Sequence, residues 1–238
     1  MTPSIPGFDL RRVEVADDVS LTVAVGGSGP PVVLLHGFPQ THLMWRHVAA
    51  DLAVDHTVIC PDLRGYGASD KPLEEDQSTY SKRTMGADVV ALAARLGHDR
   101  FALVGHDRGA LVAFRAALDH PEAVTHLACL DILPTLDMWD ALHGVTGAVG
   151  FHLYLMAQPA GLPEQMIAAA PDAFFAHFLD GWTDDPGLCR TTSAPSTSRR
   201  AATRCPRSSP TTGPPPASTS RTTRRTGRPG TGCGCPSP

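Results

Sequence analysis

The 238-residue sequence predicts an α/β fold in which a doubly wound, mostly parallel sheet carries a helical cap. Two observations lead to this prediction. Continuous apolar runs, typical of strands covered on both faces, alternate with helical patterns over residues 1–135. Residues 137–157 and 163–180 are apolar and aromatic-rich with helical spacing, and no strand pattern lies between them. We therefore expect a core formed by residues 1–135 and a partial helical cap formed by residues 136–188.

The first half of the core begins with two strands that alternate loosely between apolar and polar residues. Residues 11–16 and 19–25 are separated by Asp17 and Asp18, which predicts an opening β-hairpin. Continuous apolar runs at 31–37 and 57–60 predict two buried strands.

The second half of the core continues the alternation of helices and strands. A helix that ends at Gly97 is predicted by apolar residues repeating at helical spacing: Met85, Val89, Leu92 and Leu96. An apolar strand then runs into residues 105–109, and a helix follows that extends through Leu118 and stops before Pro121. The run 124–132 predicts the next strand, which delivers Asp131 at its C-terminal end.

The segment 105–109 (GHDRG) is the most informative of the sequence. Gly105 and Gly109 bracket a sharp turn between a strand and a helix, and Asp107 lies at its apex. Strand–turn–helix elbows of this kind display a catalytic nucleophile. A carboxylate nucleophile forms an ester with a carbon electrophile, so the predicted chemistry is displacement at a saturated carbon.

Four motifs in order make the sequence similar to a known family. The segments 36–40 (HGFPQ), 62–67 (DLRGYG), 105–109 (GHDRG) and 130–135 (LDILPT) together resemble the haloacetate (fluoroacetate) dehalogenases. These enzymes belong to the aspartate-nucleophile branch of the α/β-hydrolase fold, which also includes haloalkane dehalogenases and epoxide hydrolases. The resemblance covers approximately residues 10–185 and implies an α/β-hydrolase fold that stops before the last strands. The 124–132 strand should then form an unprotected edge.

The resemblance also implies roles for individual residues. Asp107 would attack the halogen-bearing carbon, and Asp131 would orient a histidine that activates water. The backbone N–H groups of Phe38 and Arg108 would stabilise an anion, and the Arg108 side chain would bind the substrate carboxylate. His152 in the cap would donate a hydrogen bond to the departing halide.

Departures from the family pattern keep other functions open. Leu111 stands where the family has a second carboxylate-binding arginine, and Leu153 stands where it has a tryptophan. A larger or less charged substrate is therefore an alternative, with an epoxide the main one. In that case Tyr154 would contact the epoxide oxygen, unless it belongs to the core.

The catalytic histidine of the family follows the last strand, and no histidine occurs beyond His177. The resemblance therefore predicts impaired turnover, and a non-catalytic fragment is a further hypothesis. Simpler interpretations of single residues also stand: Asp107 as a helix cap, Asp131 as a strand-end residue, and Arg108 as a solvated side chain. His36 is expected to support its loop, and His106 is expected to point away from the site.

Residues 189–238 differ in kind from the rest. They contain nine arginines and no acidic residue, whereas residues 1–188 hold all 24 acids. They also lack large apolar residues, which predicts disorder. All their residue types have codons with G or C at the second base, so we interpret the tail as frameshifted. A Pro/Ser/Thr-rich linker and an arginine-rich arm for nucleic acid or an acidic partner are the alternatives.

Composition and cysteine positions complete the predictions. Cys60 and Cys129 lie in apolar runs and are expected to be buried. We expect no metal, cofactor, nucleic-acid partner or membrane span, and a cytoplasmic location. The expected partner is a small-molecule substrate, a halogenated acid or an epoxide, and homodimerisation stays open.

Overall fold

The computed structural model describes residues 3–72, 78–159 and 161–183. In this part of the chain six strands form one sheet: β1 (Asp9–Ala16), β2 (Val19–Gly27), β3 (Pro31–Leu35), β4 (Thr57–Pro61), β5 (Phe101–His106) and β6 (Val124–Leu130). The predicted hairpin is confirmed as β1 and β2, and each predicted apolar run forms a strand.

The sheet has the order β1-β2-β4-β3-β5-β6. The pairs β1–β2 and β2–β4 are antiparallel, and the other pairs are parallel. The predicted α/β class with a mostly parallel sheet is therefore confirmed. The C-terminal ends of β3, β5 and β6 lie at one edge of the sheet, and this is where open α/β sheets place their ligands.

Seven α-helices accompany the strands in the described residues: α1 (Arg46–Leu52), α2 (Lys82–Arg95), α3 (Arg108–Asp119), α4 (Thr135–Ala141), α5 (Phe151–Met156), α6 (Leu162–Ala169) and α7 (Pro171–Gly181). Short 3-10 helices precede α1 (His42–Trp45) and α5 (Gly144–Gly150). The helix predicted from the 85–96 pattern is α2, and its Met85, Val89 and Leu92 are buried. Helices α4 to α7 follow the last described strand, as expected for a cap.

Helices cover both faces of the sheet, because successive strand residues point to opposite faces. Val33 and Leu35 of β3 pack with the buried residues of α2 and α3. Val32 and Leu34 pack instead with Trp45 and the following α1. The larger cluster also contains Phe175 and Phe178 of α7, so the cap is joined to the core by apolar contacts.

Strand β6 is the open edge of the described sheet, where its partner is β5. Leu127 and Leu130 are 39% and 44% exposed. The expectation that Cys129 is buried is wrong: it is exposed, although its Sγ lies 3.8 Å from the Ala110 carbonyl oxygen of α3, because β6 is the edge strand of the described sheet. Cys60 is buried in the smaller cluster as expected.

The predictions made for residues 189–238 lie outside the described residues, and the boundaries at residues 135 and 188 stay predictions. Within the described ranges, no helix combines the length and apolar character needed to span a membrane. The same ranges contain no cluster of three or more His, Cys, Asp or Glu side chains arranged to hold a metal ion.

Candidate active site

Asp107 lies at the sharp turn between β5 and α3. Its backbone has φ 50° and ψ −119°, a strained conformation that L-residues rarely adopt and that is often found at functional sites. Its N–H donates to the carbonyl oxygen of Leu130 at 3.1 Å, which fixes the turn against β6. The turn needs glycine on both sides: a Cβ at Gly105 would collide with the backbone of Gly109, and a Cβ at Gly109 would lie 2.5 Å from the Leu35 carbonyl oxygen.

A cavity of about 670 Å³ opens above this turn, between the sheet and the cap. Its polar lining comes from the core loops and helix starts, and its apolar lining comes mainly from the cap. The charged or titratable side chains of its lining are Lys82, His106, Asp107, Arg108, Asp131 and His152. Trp139, Leu142, Leu179 and Trp182 supply apolar surface. A lining that combines apolar surface with a few charged groups suits a small organic ligand with one charged group.

The Asp107 carboxylate is held at the cavity by a backbone donor. The N–H of Phe38 donates to Asp107 Oδ1 at 2.6 Å, and the side chain is neither fully buried nor exposed to bulk solvent. Phe38 is positioned because β3 and β5 are parallel neighbours in which Leu35 lies opposite Gly105. Arg108 opens α3 directly after Asp107, where the first N–H groups of a helix lack intrahelical partners. The Phe38 N–H therefore contacts the carboxylate of Asp107, and its role in stabilising an anion of the reaction stays a prediction.

Gly37 provides the space for this contact, and its replacement gives a first testable prediction. A Cβ on residue 37 would lie 2.5 Å from Asp107 Cβ and 2.7 Å from its Oδ1. Gly37→Ala should therefore displace the carboxylate and lower its reaction rate with an alkylating substrate by about 100-fold. The rate of adduct formation at Asp107, followed by mass spectrometry, measures this effect.

Gly181→Ala is the matched control, because a Cβ there meets no atom within 4 Å and Gly181 ends α7. Its reaction rate should equal that of the wild type. A normal rate in Gly37→Ala would show that the close approach of residue 37 to Asp107 is not required.

Arg108 lies under the cap with 7% of its surface exposed. Its guanidinium carbon is 5.9 Å from the centre of the Phe38 ring, and one terminal nitrogen lies 3.7 Å from Met156 Sδ. The alternative in which Arg108 is a solvated side chain is wrong. A buried guanidinium that lines a cavity beside Asp107 can bind an anionic group of a ligand.

His152 of α5 is buried in an aromatic cluster and reaches the same cavity. Its ring stacks on Phe38 at a centroid distance of 5.4 Å and contacts Phe178 and Trp182. Burial, together with the nearby positive charge of Arg108, lowers the pKa of His152 to about 4. At neutral pH the imidazole is therefore uncharged and has one N–H to donate.

His106 and Asp131 lie next to each other at the cavity. The expectation that His106 points away from the site is wrong, since it lines the cavity with its Nε2 3.8 Å from Asp131 Oδ2. Asp131 follows β6 with φ 53°, and its side chain is 89% exposed. Among the described histidines, His106 is the one recorded beside Asp131. Asp107 and Asp131 line one cavity, because the parallel strands β5 and β6 end side by side.

Tyr154 is not placed where either interpretation expected it. It is absent from the cavity lining and 39% exposed; its hydroxyl donates to the Leu142 carbonyl oxygen and its ring packs edge-to-face on Trp139. The turn of α5 that directs His152 inward directs Tyr154 outward. Leu111 and Leu153 do line the cavity, where they contribute apolar surface.

The loop that carries Phe38 is supported by buried polar groups. His36 accepts a hydrogen bond at Nε2 from the Leu63 N–H at 3.0 Å, and its Nδ1 lies 3.0 Å from the Gly37 carbonyl oxygen. Burial lowers the pKa of His36, so this imidazole is neutral. Burial alone would raise the pKa of Asp62, but hydrogen bonds from the backbone and side chain of His42 hold this pKa at about 2. The supporting role expected for His36 agrees with these contacts.

Lys82 is a cavity residue that the sequence analysis missed. It is the first residue of α2, it is half-buried, and it lines the cavity with Asp107 and Arg108. Burial and the charge of Arg108 lower the pKa of Lys82 to about 8, against the opposing charge of Asp107. A signal was present in the sequence, because residue 82 continues the helical spacing of Met85 and Val89.

Comparison with known proteins agrees with this geometry. The α/β hydrolase fold family matches residues 30–221. A fluoroacetate dehalogenase from Burkholderia sp is 49% identical over 177 residues, which cover 74% of this chain and 58% of that protein. A soluble epoxide hydrolase from Corynebacterium sp. (strain C12) is 48% identical over 110 residues, 46% of this chain and 37% of that protein.

A solved structure has a similar fold. The crystal structure of a candidate acyltransferase from Salmonella enterica superposes with a TM-score of 0.81 at 45% identity, covering 85% of this chain and 67% of that one. The present chain spans less than two thirds of the length of the two curated relatives.

Proposed function

Because this chain belongs to the α/β-hydrolase fold family, we propose that its cavity performs displacement at a saturated carbon, with Asp107 as the nucleophile. The proposed substrate is a small halogenated carboxylic acid of the haloacetate type. One observation carries the proposal: the Asp107 carboxylate lies at the apex of a strand–helix turn, in a cavity, with the Phe38 N–H on one oxygen and the Arg108 side chain beside it.

The first step uses only residues at this turn. An Asp107 carboxylate oxygen forms a bond to the carbon that carries the halogen, and the carbon–halogen bond breaks as halide leaves with the electron pair. The Arg108 guanidinium binds the substrate carboxylate, and the neutral His152 imidazole donates its N–H toward the leaving halide. The product of this step is an ester on Asp107.

The second step needs a base, because water must lose a proton as it attacks the ester carbonyl. The Phe38 N–H, already directed at Asp107, would stabilise the oxyanion that forms. His106 beside Asp131 is the arrangement that the described residues offer for the base. The 3.8 Å between His106 and Asp131 is longer than a hydrogen bond, so we propose that this step is slow and that the ester accumulates.

An epoxide is the second candidate substrate, and the 48% identity to an epoxide hydrolase over 110 residues favours it. Opening an epoxide requires a donor for the ring oxygen. Tyr154 does not line the cavity, so the N–H donors of the described lining, His152 and Lys82 among them, would take this role. The cation at Arg108 instead suits an anionic substrate, and we therefore rank the halogenated acid first.

Labelling with bromoacetate and with styrene oxide tests the proposal. Peptide-resolved mass spectrometry should find bromoacetate attached to Asp107 as an ester that hydroxylamine releases, which distinguishes it from adducts of cysteine or lysine. Faster labelling of Asp107 by styrene oxide would favour the epoxide reaction. Absence of any adduct on Asp107 with either reagent would refute the nucleophile role.

A further inference from the structure

Two cations, not one, lie beside the candidate nucleophile. Lys82 opens α2 and Arg108 opens α3, and they are the only lysine and arginine in the described cavity lining. Their neighbour Arg83 points the other way: it is 69% exposed, and its Nε binds Asp119 Oδ2 at 2.9 Å. The inward position of Lys82 follows from helical spacing, since residues 82, 85, 89 and 92 share the face of α2 that packs on the core.

The position of Lys82 is electrostatically unfavourable without an anionic ligand. A positive charge at the N-terminus of a helix faces the positive end of the helix dipole. Burial and Arg108 disfavour the ammonium further, as its lowered pKa indicates. None of the described carboxylates forms an ion pair with Lys82. Asp107 is the carboxylate whose charge opposes this lowering of the pKa, and an anionic ligand in the cavity would add a second counter-charge for the two cations.

The proposed reaction supplies that anion. An anionic substrate must approach the Asp107 carboxylate, and two like charges repel each other in a cavity of low polarity. Arg108 balances one of the two negative charges, and Lys82 balances the other. Once the ester has formed, Asp107 is neutral, and the carboxylate of the bound group is the anion that remains between the two cations.

We propose that Lys82 is a specificity-determining residue whose ammonium, together with the Arg108 guanidinium, binds the carboxylate of the substrate while Asp107 attacks the adjacent carbon. This inference rests on the proposed function. It attributes the preference for an anionic substrate to a residue on a second helix, α2. The apolar Leu111 side chain that shares the cavity cannot provide this charge.

The test compares two reagents that differ in charge but share a leaving group. Bromoacetate is anionic and bromoacetamide is neutral, and each forms an ester with Asp107 while bromide leaves with the bonding electrons. Lys82→Met should slow ester formation by bromoacetate about 10- to 100-fold, the loss expected for one charged hydrogen bond. The bromoacetamide rate should change less than about 3-fold. Lys82→Arg should retain the preference for the anion.

Arg83→Gln is the matched control, because it removes one positive charge from the adjacent, outward-facing position. It should leave the ratio of the two rates unchanged. Equal slowing of both reagents by Lys82→Met would indicate a purely structural role and would overturn the inference, as would no slowing at all. Failure of both reagents to label wild-type Asp107 would instead refute the proposed nucleophile.

The pH dependence gives a readout that a structural role would not produce. The wild-type preference for bromoacetate should fall as pH rises through about 8, because the Lys82 ammonium then loses its proton. Lys82→Arg should keep its preference above this pH, and Lys82→Met should show a smaller preference, due to Arg108 alone, that does not change near this pH. Every variant retains the other charged or titratable groups that line the cavity: His106, Asp107, Arg108, Asp131 and His152.

A binding measurement completes the test without any reaction at Asp107. The chain contains only two lysines, Lys71 and Lys82, so Lys71→Arg leaves a single lysine signal in NMR spectra of protein carrying isotopically labelled lysine. Saturating acetate should raise the pKa of Lys82, since a bound carboxylate stabilises the ammonium. An unchanged pKa in the presence of acetate would overturn the inference.

Discussion

Asp107→Asn is expected to lower the rate of ester formation by bromoacetate about 1,000-fold or more, with little loss of stability. The amide has almost the same shape as the carboxylate, and its oxygen can still accept the Phe38 N–H. It lacks the negative charge of a nucleophile, and losses of this kind remove most of the catalytic effect in comparable enzymes. Asparagine also tolerates the φ of 50° at this position better than most residues.

The control for this substitution is Asp18→Asn. Asp18 also has a positive φ, 57°, lies exposed in the turn between β1 and β2, and is not part of the described cavity lining. It undergoes the same change of charge and should label like the wild type. If Asp107→Asn reacts within about 10-fold of the wild-type rate, another residue must be the nucleophile.

Asp88→Ala should lower the free energy of unfolding by about 3–5 kcal/mol, measured by urea denaturation. Asp88 accepts two hydrogen bonds from Arg64, at 2.8 Å from Nε and 2.7 Å from a terminal nitrogen, and both side chains are buried. Burial raises the pKa of the Asp88 carboxyl, while the Arg64 guanidinium opposes that rise. Removal of Asp88 leaves a guanidinium that cannot lose its charge by deprotonation.

Two further variants distinguish this pair from an ordinary ion pair. Arg64→Met should lower the free energy of unfolding by less than Asp88→Ala does, because the remaining Asp88 carboxyl can take up a proton and become neutral. Arg83→Ala removes an ion pair with Asp119 whose arginine side chain is 69% exposed, and it should cost less than about 1 kcal/mol. If Asp88→Ala and Arg83→Ala lower the free energy of unfolding equally, burial does not make the Arg64–Asp88 pair more important than an exposed ion pair.

Most of the fold, and Asp107 at the centre of the site, could be predicted from local patterns in the sequence. Strands β3 and β5 are covered on both faces, so their apolar runs are continuous and easily recognised. Asp107 could be assigned because a short motif fixes its place at a strand end, whereas Phe38 was assigned by resemblance. Arg108 and His152 were assigned by resemblance, and both line the cavity.

The residues that were missed depend on packing between distant segments. The choice between Lys82 and Arg83 as the inward-facing cation depends on which face of α2 packs on the sheet. The exposure of Cys129 depends on what lies beside β6, since the apolar run 124–132 looks the same in an edge strand and in a central one. The outward turn of Tyr154 depends on the rotation of α5 over the cavity.

The parallel pairing of β3 with β5 also makes labelling of Asp107 a reporter of correct strand alignment. Phe38 meets Asp107 because Leu35 lies opposite Gly105, and a shift of the pairing by a single residue would reverse the faces of every side chain on β3. The chain between these strands includes β4 and α2, so this contact forms only after a long loop has closed. Reactivity toward bromoacetate during refolding should therefore appear late, together with the native topology rather than with the first helices.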